Sequence, residues 1–217
     1  MAHVPRSSRG YDGWVAMQPL SPPMRGEVRV WIARVSEHAP RTGAFAALLD
    51  RREVAQAARY RFASDRIRYV VAHGLVRVVL GAAAGCRPHD VAFHFGEFGK
   101  PALDDAQRCE PLEFNLSHAG DRILIATALR PVGVDIEERR AARPDDPLTI
   151  VAWTRLEAYV KALGTGLTST AVEFDEAAWS LAPLDVGPEY AAAVVAAGHD
   201  WVVNACRLTP ELLMRAA

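Results

Sequence analysis

Cysteine, lysine and long apolar runs are all scarce in this sequence of 217 residues. The three cysteines, Cys86, Cys109 and Cys206, are isolated and form no C-x-x-C pair, which argues against a disulfide framework and against a cysteine-based metal site. No stretch approaches twenty uninterrupted apolar residues, and the N-terminus lacks the basic-then-apolar order of a signal peptide. We therefore expect a cytoplasmic protein with no membrane partner.

An excess of charge of one sign is also missing, because the formal net charge is -1 at pH 7. The arginines are dispersed along the chain, so no nucleic-acid partner is expected. Only two of the 25 basic residues are lysines, Lys100 and Lys161, and both lie in motif-like stretches. Since lysine offers a compact point charge where arginine presents a planar fork, both lysines are candidate functional residues.

The apolar run at residues 132–137 carries two carboxylates, Asp135 and Glu137, one residue apart. Alternation with β-branched neighbours predicts a strand, and side chains two apart on a strand share a face. Two acids on one face repel each other, which is tolerable when both are solvated or when a cation lies between them. The first alternative is the ordinary interpretation of an isolated D-x-E pattern, and the second is a metal site.

Residues 153–164 predict a helix that ends at Gly164, because good helix formers fill it and glycine suits the position after a helix. Glu157 and Lys161 are four residues apart and share a face of this helix. As an ordinary surface pair they would contribute about 0.3 kcal/mol. In the functional interpretation, Glu157 joins the two acids of the strand as a third oxygen ligand, and Lys161 holds a phosphate. Three carboxylates suit Mg²⁺, which completes its octahedron with water and substrate oxygens.

Four short motifs follow one another along the chain, and none would be specific alone. They are Phe98-Gly99-Lys100-Pro101, Phe114-Asn115-Leu116-Ser117-His118, Gly133-Val134-Asp135-Ile136-Glu137 and Trp153-Thr154-x-x-Glu157-Ala158-x-x-Lys161-Ala162. Their joint occurrence resembles the 4'-phosphopantetheinyl transferase superfamily, of the longer Sfp type, and the resemblance covers about residues 28 to 208.

The order of predicted elements is strand, helices and hairpin in the first half, then strand, helix and hairpin in the second. Residues 44–61 and 64–80 predict helices, and residues 174–181 and 190–208 predict the last hairpin. This order favours an α+β fold, and the resemblance implies a pseudo-dimer of two similar α+β halves with the site at their junction. The predicted parts are a loose arm at 1–26, an N-terminal half at 27–131 and a C-terminal half at 132–217.

The resemblance implies a magnesium-dependent transferase that moves 4'-phosphopantetheine from coenzyme A to a serine of a carrier protein. The carrier is an acyl or peptidyl carrier protein of fatty acid, polyketide or nonribosomal peptide biosynthesis, and adenosine 3',5'-bisphosphate is released. Asp135, Glu137 and Glu157 are the implied Mg²⁺ ligands, and Glu157 is also a candidate base for the serine proton. Lys161 and His118 would hold phosphate oxygens by charge-assisted hydrogen bonds.

Coenzyme A contacts are implied elsewhere in the first half of the chain. Gly99 lets the backbone approach a flat group and Pro101 stiffens the exit from the turn, so this stretch would seat adenine while Lys100 reaches the nucleotide phosphates. Arg59 and Arg68 are candidates for the 3'-phosphate, because basic residues of this region have that role in the resembled family.

Ser117 and His118 are adjacent in sequence, and adjacent residues cannot align a nucleophile with its base, so a serine hydrolase is rejected. Ser117 instead supplies a hydroxyl to the coenzyme A site beside the His118 imidazole. We expect a monomer whose carrier-docking surface lies at residues 164–170.

Two departures from the family pattern keep alternatives to an active enzyme open. Leu156 stands where the family usually has lysine, and only residues 138–152 separate the acidic strand from the site helix, where relatives carry a longer helical segment with a further glutamate. The main alternative is a catalytically weak or inactive relative that binds coenzyme A or a carrier domain without modifying it. A chance match by an unrelated α+β domain is the second alternative.

Overall fold

The computed structural model describes residues 20–107, 111–141, 147–166 and 172–216. The chain has a mixed α+β fold, as the sequence predicts. Its strands are β1 (Glu27–Arg34), β2 (Phe93–Phe95), β3 (Pro101–Leu103), β4 (Glu113–Ala119), β5 (Arg122–Ala128), β6 (Val132–Glu138), β7 (Trp179–Pro183), β8 (Tyr190–Ala197) and β9 (Val202–Arg207). Its α-helices are α1 (Val35–His38), α2 (Thr42–Ala46), α3 (Arg51–Ala57), α4 (Ala63–Ala84), α5 (Pro147–Leu163) and α6 (Pro210–Ala216).

The strands form a four-stranded sheet in the order β4-β5-β1-β9, a three-stranded sheet in the order β6-β8-β7 and a small β2-β3 hairpin. Strand β1 is antiparallel to β5 and parallel to β9. The segment 190–208, predicted as one part of a hairpin, therefore divides into two strands. Strand β8 stays beside β6 and β7, whereas β9 joins the other sheet.

Alternation along β1 explains how the layers stack. Trp31 and Ala33 contribute to a core beneath α4, whereas Val28, Val30 and Ile32 contribute to a second core that also contains residues of β6 and β8. The two large sheets therefore pack face to face. A third apolar cluster joins α5 to β8 on the far side of the three-stranded sheet.

The single helix predicted at residues 44–61 is wrong, because the structure has two short helices there, α2 and α3. Asp50 begins α3 with a capping box, in which its side chain accepts from the Glu53 amide and the Glu53 carboxylate accepts from the Asp50 amide. This reciprocal bonding stabilises a new helix start inside the stretch that composition alone marks as continuous helix.

Helix α4 is the longest described helix, and Gly85, at φ +69°, caps its C-terminus in the left-handed region. Length and composition alone would let α4 cross a membrane, but 61% of its most apolar window is buried inside the protein. Its apolar side chains lie in the core under the four-stranded sheet. Helix α4 is thus accounted for as a core helix of this fold.

Candidate active site

Strand β6 presents two different faces, as its alternating sequence predicts. Val132, Val134 and Ile136 point into the core between the two sheets. The intervening residues face α5: Asp135 forms an ion pair with a lysine of that helix, and Gly133 contacts its backbone. The acidic face of β6 therefore lies against the helix that carries Glu157 and Lys161.

Gly133 allows α5 to lie directly on the strand. A Cβ atom at this position would lie 2.1 Å from the carbonyl oxygen of Ala158 and 2.4 Å from the amide nitrogen of Ala162. Both are backbone atoms, so no side-chain rotation could relieve the clash. The absence of a side chain at residue 133 thus fixes the distance between β6 and α5, and with it the distance between their charged residues.

Asp135, Lys161 and Ser117 form a compact polar cluster. The Lys161 ammonium lies 2.5 Å from Oδ1 of Asp135 and donates to the Ser117 hydroxyl oxygen at 3.1 Å. The Ser117 oxygen also accepts from the Ile136 amide at 3.3 Å and lies 2.9 Å from the same Oδ1. An amide and an ammonium can only donate, so the hydroxyl hydrogen must point to Asp135.

The other carboxylate oxygen of Asp135, Oδ2, is buried and has no hydrogen-bond partner among the described residues. Asp135 as a whole is only 3% exposed. A buried, unpaired anionic oxygen is costly and is a common feature of functional sites. One oxygen of this carboxylate is therefore held by the protein, and the second is free to bind another group.

Glu137 and Glu157 share the electrostatic environment of Asp135. Burial raises the pKa of each glutamate, and the negative charge of Asp135 raises both further, partly offset by Lys161. Carboxylate oxygens are suitable Mg²⁺ ligands, and the unpaired oxygen of Asp135 fits that use. Within the described ranges, however, no three His, Cys, Asp or Glu side chains lie close enough to form a metal site. Repulsion among the three acids opposes a closer approach.

His118 follows Ser117 on β4 but belongs to a different environment. Burial lowers the pKa of His118 to about 4, and the nearby positive charge of Arg68 contributes. The imidazole is therefore neutral at pH 7. Arg68 forms an ion pair with Asp65 at 2.7 Å, and its Nε atom is buried without a hydrogen-bond partner among the described residues.

Lys100 contacts the backbone beneath the site, not the acidic side chains. Its ammonium donates to the carbonyl oxygens of Ala162 at 3.0 Å and Val132 at 3.3 Å, which links the last turn of α5 to the start of β6. Burial lowers the pKa of Lys100. In this structure Lys100 therefore holds two elements of the site together, and its contact with nucleotide phosphates stays a prediction.

A cavity of about 480 Å³ opens beside the turn that precedes β3. Three residues expected to contact coenzyme A, Gly99, Pro101 and Arg59, line it. The guanidinium of Arg52 lies 3.6 Å above the ring of Phe95, which forms part of the same wall. The cavity thus combines aromatic faces with positive charge.

The opposite wall contains residues that the sequence analysis did not single out. Glu53 is bonded by Arg77 Nε at 2.7 Å and by His73 Nδ1 at 3.0 Å, and Tyr69 stacks on His73 with ring centroids 3.9 Å apart. Burial has the largest single effect on Glu53 and raises its pKa, but the hydrogen bonds and charges of His73, Asp50 and Arg77 together outweigh it, so the pKa of Glu53 is lowered. The four-residue spacing of Tyr69, His73 and Arg77 along α4 was the available signal, because such residues share a helix face.

Leu156 lines a separate cavity of about 560 Å³ on the other side of α5, together with Tyr159 and Trp179. The departure from the family pattern at this position therefore changes an apolar wall away from Asp135. Residues 167–170 of the expected docking surface, residues 1–19 of the expected arm, and Cys109 lie outside the described residues.

Comparison with known proteins gives the family to which this chain belongs. Residues 37–130 match a family model described as the N-terminal part of 4'-phosphopantetheinyl transferase. The 4'-phosphopantetheinyl transferase HetI of Nostoc sp. (strain PCC 7120 / SAG 25.82 / UTEX 2576) is 30% identical over 225 aligned residues, which cover 87% of this chain and 95% of HetI.

Two further relatives match shorter parts of the chain. A putative 4'-phosphopantetheinyl transferase of Synechocystis sp. (strain ATCC 27184 / PCC 6803 / Kazusa) is 26% identical and covers 67% of this chain and 68% of its own length. The transferase Sfp of Bacillus subtilis (strain 168) is 30% identical over 82 residues, which cover 38% of this chain and 35% of Sfp. The chain belongs to the 4'-phosphopantetheinyl transferase family, and it is an enzyme of that type.

Proposed function

We propose that this transferase moves 4'-phosphopantetheine from coenzyme A to a serine of an acyl or peptidyl carrier protein and releases adenosine 3',5'-bisphosphate. The observation that carries the proposal is the Asp135 carboxylate, which Ser117 and Lys161 hold by one oxygen while its other oxygen is buried and unpaired. Such a carboxylate is oriented for a ligand that approaches from the free side.

The nucleotide of coenzyme A occupies the cavity beside Gly99 and Pro101 in this proposal. The cavity has a volume of about 480 Å³ and aromatic walls, which suit a stacked base. Arg59 lies in the same wall and supplies positive charge for the 3'-phosphate. Arg68 is the other candidate for the 3'-phosphate, and its charge lies near His118.

Mg²⁺ is the proposed metal, and Asp135, Glu137 and Glu157 would hold it once their side chains draw closer together than they lie in this structure. When bound, it supplies charge neutralisation for the pyrophosphate and for the leaving phosphate oxygen. The residues of the chain do the positioning. Lys161 and the neutral His118 donate to phosphate oxygens. Glu157 accepts the proton of the attacking serine.

The proposed arrangement is a pair of α+β halves, residues 27–131 and 132–217, that meet at this site. Ser117 of β4 and Asp135 of β6 lie on opposite sides of that boundary and are hydrogen-bonded to each other. A cleft between two halves is a common place for a ligand. The carrier protein docks at residues 164–170 in this proposal, and the enzyme is a cytoplasmic monomer.

Mass spectrometry of carrier proteins tests the reaction. Purified protein, coenzyme A and Mg²⁺ are incubated with a panel of apo carriers, and each carrier is weighed for the addition of one phosphopantetheine arm. We expect a mass gain that chelation with EDTA prevents, and that Asp135→Asn and Glu157→Gln reduce at least about 100-fold. The matched control is Glu176→Gln, which neutralises an exposed acid outside the site.

A panel on which no carrier gains mass would refute the proposed substrate. Full transfer by both Asp135→Asn and Glu157→Gln would refute the assigned roles of the two acids while leaving the substrate assignment intact.

A further inference from the structure

The outer edge of β6 lies against a strand of the other sheet. On its other edge, β6 is hydrogen-bonded to β8. The Arg139 amide donates to the Glu189 carbonyl, and the Ala197 amide donates to the Pro131 carbonyl, so the odd-numbered residues in the range 131–139 form the backbone bonds to β8. Backbone groups alternate in direction along an antiparallel strand. The amides of Val134 and Ile136 therefore point away from β8 and towards β4.

Two side chains of β4 take the place of a backbone partner for this edge. Asn115 Oδ1 accepts from the Val134 amide at 2.9 Å, and Ser117 Oγ accepts from the Ile136 amide at 3.3 Å. Both side chains are more than nine-tenths buried. Among the described residues, no backbone-to-backbone hydrogen bond joins β4 to β6.

The spacing of the two bonds fixes the register between the sheets. Asn115 and Ser117 are two residues apart, as are the amides they bind, so a slip of β6 by one residue along β4 would break both bonds at once. Asp135 lies between the two anchored amides. Its position relative to Lys161 therefore depends on both anchors, and only one of them, Ser117, contacts its carboxylate directly.

We infer that Asn115 is a positioning residue of the transferase, which holds Asp135 opposite Lys161 by anchoring the amide of Val134. The inference rests on the proposed transfer reaction at Asp135. Asn115 touches no reacting group itself, so its loss acts on the rate of the chemical step and leaves the cavity proposed for the coenzyme A nucleotide intact.

The test replaces Asn115 with leucine, which keeps a similar shape and removes the acceptor. We expect Asn115→Leu to lower kcat about tenfold to 100-fold, because a displacement of about 1 Å at a reacting group has that effect. The KM for coenzyme A should stay within about twofold of wild type. Hydrogen exchange at the Val134 amide should accelerate, and this measurement does not depend on activity.

Two further variants separate positioning from general stability. Asn115→Asp keeps an acceptor oxygen, so hydrogen exchange at the Val134 amide should stay slower than in Asn115→Leu, whatever its added charge does to kcat. Ser180 lies on β7, at the far side of the three-stranded sheet from β4, and its hydroxyl donates to the Gly198 carbonyl oxygen. Ser180→Ala removes this hydrogen bond and should leave kcat unchanged.

Wild-type kcat in Asn115→Leu together with faster exchange at Val134 would overturn the inference. An equal loss of kcat in Ser180→Ala and Asn115→Leu would overturn it too, since it would show a general effect of destabilisation. A wild-type protein that transfers nothing would instead refute the proposed function, and exchange at Val134 would still test the contact with Asn115.

Discussion

Replacing Gly133 with alanine should separate β6 from α5 and disable the site. The new Cβ atom would lie 2.1 Å from the Ala158 carbonyl oxygen, whereas ordinary contact begins at 3.4 Å. The helix must therefore move by about 1.3 Å, the difference between these two distances. Since the obstructing atoms belong to the helix backbone, α5 would move as a unit and carry Glu157 and Lys161 with it.

The expected magnitudes follow from that displacement. Lys161 lies 2.5 Å from Asp135, so a movement of more than 1 Å breaks the ion pair or forces it into a new geometry. A misplacement of this size costs about 100-fold in rate. Overpacking at the contact should also lower the free energy of unfolding by about 1–3 kcal/mol.

The measurement is kcat for carrier modification by mass spectrometry, with urea unfolding of the same variant to establish that it folds. Gly43→Ala is the matched control, because a Cβ at Gly43 in α2 would meet no atom within 4 Å. Alanine there should leave kcat unchanged and raise stability by up to about 1 kcal/mol. A folded Gly133→Ala variant with wild-type kcat would refute the argument that this glycine sets the spacing of the site.

Three more predictions test the charges around the site. Glu157→Gln should reduce transfer at least about 100-fold yet raise the melting temperature, because it removes an acid that Asp135 repels; a lower melting temperature would contradict this. The pKa of His118 is about 4 in the folded protein against 6.5 ordinarily, so the unfolded chain takes up the proton first and stability falls as pH drops from 6.5 towards 4. Between pH 6.5 and 4, the free energy of unfolding of His118→Gln, measured in urea titrations, should fall by about 1–3 kcal/mol less than that of the wild type. Equal decreases in the two proteins would refute the lowered pKa of His118. Arg59→Ala should raise the KM for coenzyme A about tenfold but not the KM for 3'-dephospho-coenzyme A, whereas equal increases would exclude a contact with the 3'-phosphate.

Local periodicity was enough to predict the two chain segments that carry the acidic cluster. The alternation of residues 132–137 predicts that Asp135 and Glu137 share a face, and the four-residue spacing predicts that Glu157 and Lys161 share another. The helix begins at Pro147, six residues before the start predicted at Trp153. Helix boundaries depend on capping and tertiary contacts, which a pattern of apolar residues does not encode.

Long-range pairings were beyond the reach of the sequence alone. The parallel pairing of β9 with β1 joins segments about 175 residues apart, and nothing in either strand identifies its partner. The hydrogen bonds of Lys100 to two backbone carbonyls could not be predicted either, because any buried carbonyl without a partner can attract an ammonium group. The His73 and Arg77 contacts with Glu53 likewise depend on how α3 packs on α4.

The same long-range contacts explain why the acids can stay together despite their repulsion. Three carboxylates and one lysine leave an excess of negative charge, which lowers stability unless the surrounding structure resists separation. Asn115 and Ser117 tie β4 to β6, and Lys100 ties α5 to the start of β6. These bonds lie outside the cluster of acids and act on the backbone, so each can oppose the repulsion without neutralising a carboxylate. Substitutions of Asn115, Ser117 or Lys100 should therefore displace the acids at a smaller cost in stability than is needed to unfold the protein.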